Sequence, residues 1–179
     1  MPGQVEKGWA LQRLVGFAYL VIGFFFALGA GAWAVPDDFV DAMLRHAHTL
    51  QAMAAASWNP GAVRDWFSLM LALAVLWTVP TSLALARGAV PHGLGKVILF
   101  GLPTAAFCLF LAWVALDGLG LWLPEMSQTG DGRIARAVHL VVGARSGLGI
   151  YGSLLMYIAT VLASMPFAAL FNLARSTRS

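Results

Sequence analysis

The side chains in this sequence that could do chemistry are few and scattered. Four histidines occur, His46, His48, His92 and His139, and a bis-imidazole haem or metal site would need two of them facing each other at one depth. Asp41, His46, His48 and His139 are the only candidates for such a site. The pair His46-x-His48 splays by about 200° on a helix and chelates poorly, and His92 stands in a different segment from the rest. The reading of these residues is therefore that no cofactor and no metal is bound. Ser127 and Ser146 have no evident base. Cys108, the single cysteine, lies in an apolar run and reads as an inert packing residue without a disulfide partner. Nucleophile elbows, zinc-protease pairs, phosphate loops and dinucleotide-binding glycine signatures are all missing, so the expectation is a protein that is not an enzyme.

The elements that must position these residues follow from composition. Of 179 residues, 60 % are hydrophobic and 11 % charged, against about 45–50 % and about 25 % in soluble domains. Net charge is only +3 and the basic residues form no run, which excludes a nucleic-acid partner. Asp, Glu, Lys, Arg and His are absent from 14–36, 66–86, 97–116 and 146–174. About 20 apolar residues at 1.5 Å each cross the roughly 30 Å hydrocarbon core. The sequence therefore predicts an all-α integral membrane protein of four transmembrane helices in one membrane domain over 1–179. The spans are expected at about 14–36, 62–86, 97–119 and 146–173. Lys7 and Arg13 ahead of Ala32-Trp33-Ala34 resemble a cleavable leader, but the apolar run exceeds the 7–15 residues of one, so the first span reads as uncleaved.

Between the spans, Phe39, Val40, Met43, Leu44, Ala47, Leu50 and Ala54 recur at helical spacing. They predict one amphipathic helix over about 38–56, with Asp41 and Arg45 paired at i,i+4 and His46 on the apolar side. Asn59-Pro60 supplies an N-cap and a first-turn proline for the second span. A second outer segment is expected over about 131–144. Lys7, Arg13, Arg87, Lys96, Arg175 and Arg178 hug span ends on one side. The other side holds Arg45, Arg64, Arg133, Arg136 and Arg145, together with seven of the acids. By the positive-inside rule both termini are expected in the cytoplasm, in a bacterial inner membrane. Asp117, just past the third charge-free run, reads as a solvated helix end.

Two patterns remain. Gly16, Gly23, Ala27 and Gly31 in the first span, and Gly149 and Ser153 in the fourth, have the small-residue spacing of helix-packing interfaces. Pro80, Pro103 and Pro166 fall at similar depth, where Thr78, Thr81, Ser82, Thr104, Thr160 and Ser164 could satisfy freed carbonyls and line a small cavity. The function expected is that of a non-catalytic membrane subunit anchoring or completing an inner-membrane complex for transport, secretion or respiration. Its partners would be the lipid bilayer and other membrane subunits or further copies of itself. The alternatives are a homo-oligomeric transporter or channel for a neutral solute, and a haem-binding redox subunit.

Overall fold

A computed structural model describes residues 2–32, 35–88, 101–114, 117 and 132–176, and those residues form helices and turns without a strand. The chain begins with α1 (Pro2–Leu28), followed by α2 (Asp37–Leu44), α3 (His48–Ala55) and α4 (Pro60–Gly88). Then come α5 (Leu102–Trp113), α6 (Gly132–Val142) and α7, which combines a first turn Arg145–Gly147, a wide π turn Leu148–Gly152 and a regular stretch Ser153–Ser176. Three of these helices are long and apolar enough to cross a membrane: Glu6–Leu28, Pro60–Arg87 and Arg145–Ala174; Pro103–Trp113 is apolar but shorter.

The first helix is displaced from the charge-free run. It starts near the N-terminus and ends at Leu28, because exposed Glu6, Lys7 and Arg13 do not interrupt helical backbone, whereas the turn through Gly31, at φ +86°, does. α4 starts at Pro60, where Asn59 Oδ1 accepts from the Ala62 amide at 3.2 Å.

The single amphipathic helix expected over 38–56 is two helices. Arg45 and His46 form a turn and Ala47 adopts φ −123°, ψ 56°. The bend lets Val40 and Leu44 on α2, and Leu50, Met53 and Ala54 on α3, all reach one curved core; Gln51 Nε2 donates to the carbonyl of Leu44, satisfying the broken end. The expected Asp41–Arg45 pair also does not form as the bonding partner of Asp41: Arg64 on α4 donates to Asp41 Oδ1 at 2.7 Å, tying α2 to α4. His46 is exposed in the turn and off the apolar face.

α1 and α4 are antiparallel, and α7 runs parallel to α4. The core between them holds Tyr19, Trp66, Phe67, Met70, Leu148 and Met156, and α2 and α3 cap one end through Val40, Leu44 and Leu50. α5 packs on α7, with Ala105, Cys108 and Ala112 buried and Phe107, Phe110 and Trp113 exposed. α6 is separate from α7. Gly143 and the extended Ala144 (φ −155°, ψ 160°) break the chain between them. Residues 89–100 with His92 and Lys96, the loop 124–131, and Trp33 and Ala34 lie outside the described residues.

Candidate functional site

In an apolar core, indole and phenol groups need acceptors, and here they find them on neighbouring backbone. Trp66 Nε1 donates to the carbonyl of Gly23 at 3.0 Å, Trp77 Nε1 to that of Val15 at 3.0 Å, and Tyr19 returns its hydroxyl to the carbonyl of Met70 at 3.2 Å. Three bonds spaced along an antiparallel pair hold α1 and α4 in one register. Tyr19 packs edge-on to Trp77 with centroids 6.0 Å apart.

The small residues sit where α1 meets α7. A Cβ added at Gly16 would lie 2.6 Å from Tyr157 Oη. One at Gly149 would lie 2.8 Å from the Phe24 ring and 3.3 Å from Ala27. A Cβ at Gly23 would collide with Ser153 Oγ and come within 2.8 Å of Met70 Cε. Gly31 is apart from this contact; it makes the left-handed turn after α1.

At the level of Pro80 and Pro166, α4 and α7 are joined by hydroxyls. Ser82 Oγ donates to the carbonyls of Thr78 (2.6 Å) and Ser164 (3.2 Å), and Ser164 Oγ to those of Thr160 (2.6 Å) and Thr78 (3.5 Å). Both serines are fully buried. Thr78 Oγ1 donates to the carbonyl of Ala74 at 2.9 Å and Thr160 Oγ1 to that of Met156 at 2.7 Å, so these hydroxyls serve Ala74, Met156, Thr78, Thr160 and Ser164 rather than Leu76 and Leu162, four residues before Pro80 and Pro166. Pro103 differs from the other two: it is the second residue of α5 and exposed, at a helix start where its missing N–H costs little. Among the described residues, the buried hydroxyls of Thr49, Thr81 and Ser153 have no hydrogen-bond partner.

The capped end carries a clasp that the sequence did not reveal. Asp117, beyond the apolar helix α5, accepts from His48 Nδ1, from the His48 amide at 3.4 Å and from Trp113 Nε1 at 3.1 Å. It links α5 to the start of α3. His48 and Asp117 are 69 residues apart, and their only shared signal in the sequence is a position at the same side of the apolar runs. The side chain of His48 is 47 % exposed. His139 folds its ring over Gly143, and among the described residues no three His, Cys, Asp or Glu side chains gather to hold a metal ion.

No family model, curated protein or solved structure matches this chain. Its functional reading therefore comes from these contacts alone.

The hydrogen bonds from His48 and Trp113 hold the Asp117 carboxyl below its ordinary value of 3.8. A depressed carboxylate pKa contributes stability above the unfolded value and loses it as pH falls through the folded one. The contribution of this group is accordingly fully present and independent of pH near neutrality, and is lost as the pH falls below the ordinary value of 3.8. In Asp117→Asn the acid-side loss should shrink and the midpoint at pH 7 should drop. A pH profile unchanged by the substitution would show that the clasp does not hold in solution.

Proposed function

We propose that this chain is a non-catalytic, four-span subunit of an inner-membrane complex, which it anchors or completes. In this reading the apolar run 97–116 extends α5 to spanning length, and both termini are cytoplasmic. α2, α3 and α6 then lie on the outer side. The observation that carries the reading is the attachment of α5. It meets α7 through a seam of small residues, Ala105, Cys108 and Ala112, and presents Phe107, Phe110 and Trp113 outward at 59 %, 55 % and 53 % exposure. In a bilayer such an aromatic face meets either acyl chains or a partner's helices, and this reading assigns it to the partner. The polar groups inside the long helices support a scaffold role, since Tyr19, Trp66, Trp77, Ser82 and Ser164 all bond backbone carbonyls of neighbouring helices.

Gentle detergent extraction from native membranes, followed by intact-complex mass measurement, tests this. The expected result is stoichiometric foreign membrane subunits, lost when Phe107 and Phe110 are both changed to Ala while the chain itself still accumulates. A chain recovered alone or only with copies of itself would overturn the reading and move the weight to a homo-oligomeric transporter.

A further inference from the structure

The bonds that set the register of α1 against α4 also set the depth of the charges on α1. Trp77 Nε1 on α4 donates to the carbonyl of Val15 on α1, and the two helices are antiparallel. From that level toward the N-terminus of α1, at about 1.5 Å per residue, Arg13 lies about 3 Å on, Lys7 about 12 Å, and Arg87 on α4 about 15 Å. Lys7 and Arg87 therefore share one end of the helix pair. Arg13 stands about 9–12 Å deeper, beside the charge-free run 66–86 of α4. The surface at that depth is apolar: Leu14 and Phe17 on α1, and Val75, Leu76 and Val79 on α4, are 59 % to 71 % exposed.

Arg13 is exposed on this surface, and among the described residues its guanidinium has no hydrogen bond, ion pair or ring contact; the same holds for the exposed Lys7 and Arg87. Glu6 is the only acid before Asp37, and the other seven lie within 37–65 and 117–131. Glu6 shares the helix face of Arg13 two turns away, but it forms no ion pair with it. A guanidinium facing hydrocarbon without a counter-charge is costly, and it is tolerated where the side chain reaches one. Side chains on a helix lean toward its N-terminus, which for Arg13 is the nearer surface. The lean directs it back over the turn of Trp9 and Ala10, toward the level of Lys7 and Arg87. Trp9 is 54 % exposed there, with the amphipathic ring that suits the headgroup layer. The anion within reach of Arg13 thus belongs at headgroup level, whereas a partner helix's carboxylate would have to lie deeper.

We propose that Arg13 holds the phosphate of an anionic glycerophospholipid whose acyl chains lie along Leu14 and Phe17, with Lys7 and Arg87 adding positive charge at the same end. The inference rests on insertion of the long helices in a bilayer, not on the subunit reading above. The test reconstitutes the full chain in vesicles of phosphatidylcholine and phosphatidylglycerol, then counts each lipid retained by the protein in native mass spectrometry. The wild type is expected to retain phosphatidylglycerol preferentially. Arg13→Gln should accumulate normally and lose that preference by roughly fivefold. Arg13→Lys should keep most of it, Glu6→Gln should hold or raise it, and Arg45→Gln at the capped end should leave it unchanged. A wild type without preference, an Arg13→Gln variant that keeps it, a fall in Glu6→Gln or an equal loss in Arg45→Gln would each overturn the site. Preference kept by Arg13→Gln together with loss of a co-purifying membrane subunit would assign the guanidinium to a partner's carboxylate instead. Carbonate washing scores insertion separately. Extraction of the chain would overturn both, whereas carbonate-resistant insertion without lipid preference would overturn the lipid site alone.

Discussion

Gly23→Leu is expected to leave almost no folded protein. The Cα of Gly23 lies at the junction of α1, α4 and α7, where even one added methyl meets Ser153 Oγ, Ser153 Cβ at 2.9 Å and Met70 Cε at 2.8 Å. The methionine end can swing away, but Ser153 is fully buried on a regular helix and cannot. Overpacking costs about 1–3 kcal/mol for a few methylenes. Leucine here would also push α1 from Trp66, whose indole uses the Gly23 carbonyl. Against a total stability of about 5–15 kcal/mol that is a large fraction. The smaller change Gly23→Ala should lower the detergent-unfolding midpoint measurably, and Ser153→Gly in the same chain should restore part of it, a coupling that only a direct contact produces. Gly61→Ala, with its nearest neighbour at 3.8 Å, serves as the tolerated control. Normal accumulation and midpoint for Gly23→Leu would mean that α1 and α7 do not meet at this point.

Trp66→Ala should be the most destabilising truncation in the core. Trp66 is 1 % exposed, donates to Gly23, lies edge-on to Phe67 with centroids 5.2 Å apart and approaches the Cβ position of Gly152 to 3.0 Å. Removing a buried aromatic of this size costs about 3–5 kcal/mol. Trp66→Phe keeps most of the volume and loses the indole donor, a hydrogen bond worth about 0.5–1.5 kcal/mol. The two variants should therefore separate clearly in an SDS-unfolding titration, with Phe close to wild type and Ala far below it. Equal midpoints would remove Trp66 from its position as the pin between α1, α4 and α7.

Both predictions concern residues of which the sequence showed only half. Gly23 and Ser153 were legible as small residues at packing spacing, because a helix face without bulk is a one-dimensional pattern. That they press on each other was not legible, since the crossing point of two helices 130 residues apart depends on the register of both. Trp66 and Trp77 stood in an apolar run that any hydropathy scan finds. The acceptors they use, Gly23 and Val15, were set by the antiparallel pairing of α1 and α4. The chain break at Arg45–Ala47 carries no glycine or proline. Periodicity ran through it unbroken, and only the curvature of the core beneath α2 and α3 required the bend.

The sequence by itself determined the chemistry of the elements: apolar helices, expected to span in four places, of which three are long and apolar enough to cross a membrane in the structure. It could do so because solvent preference is a property of each residue and sums along the chain. The tertiary structure decided which polar groups meet. His48 with Asp117, Arg64 with Asp41 and Ser82 with Ser164 are partners across many intervening residues, and hydrogen bonds form only where packing brings a donor and an acceptor within about 3 Å.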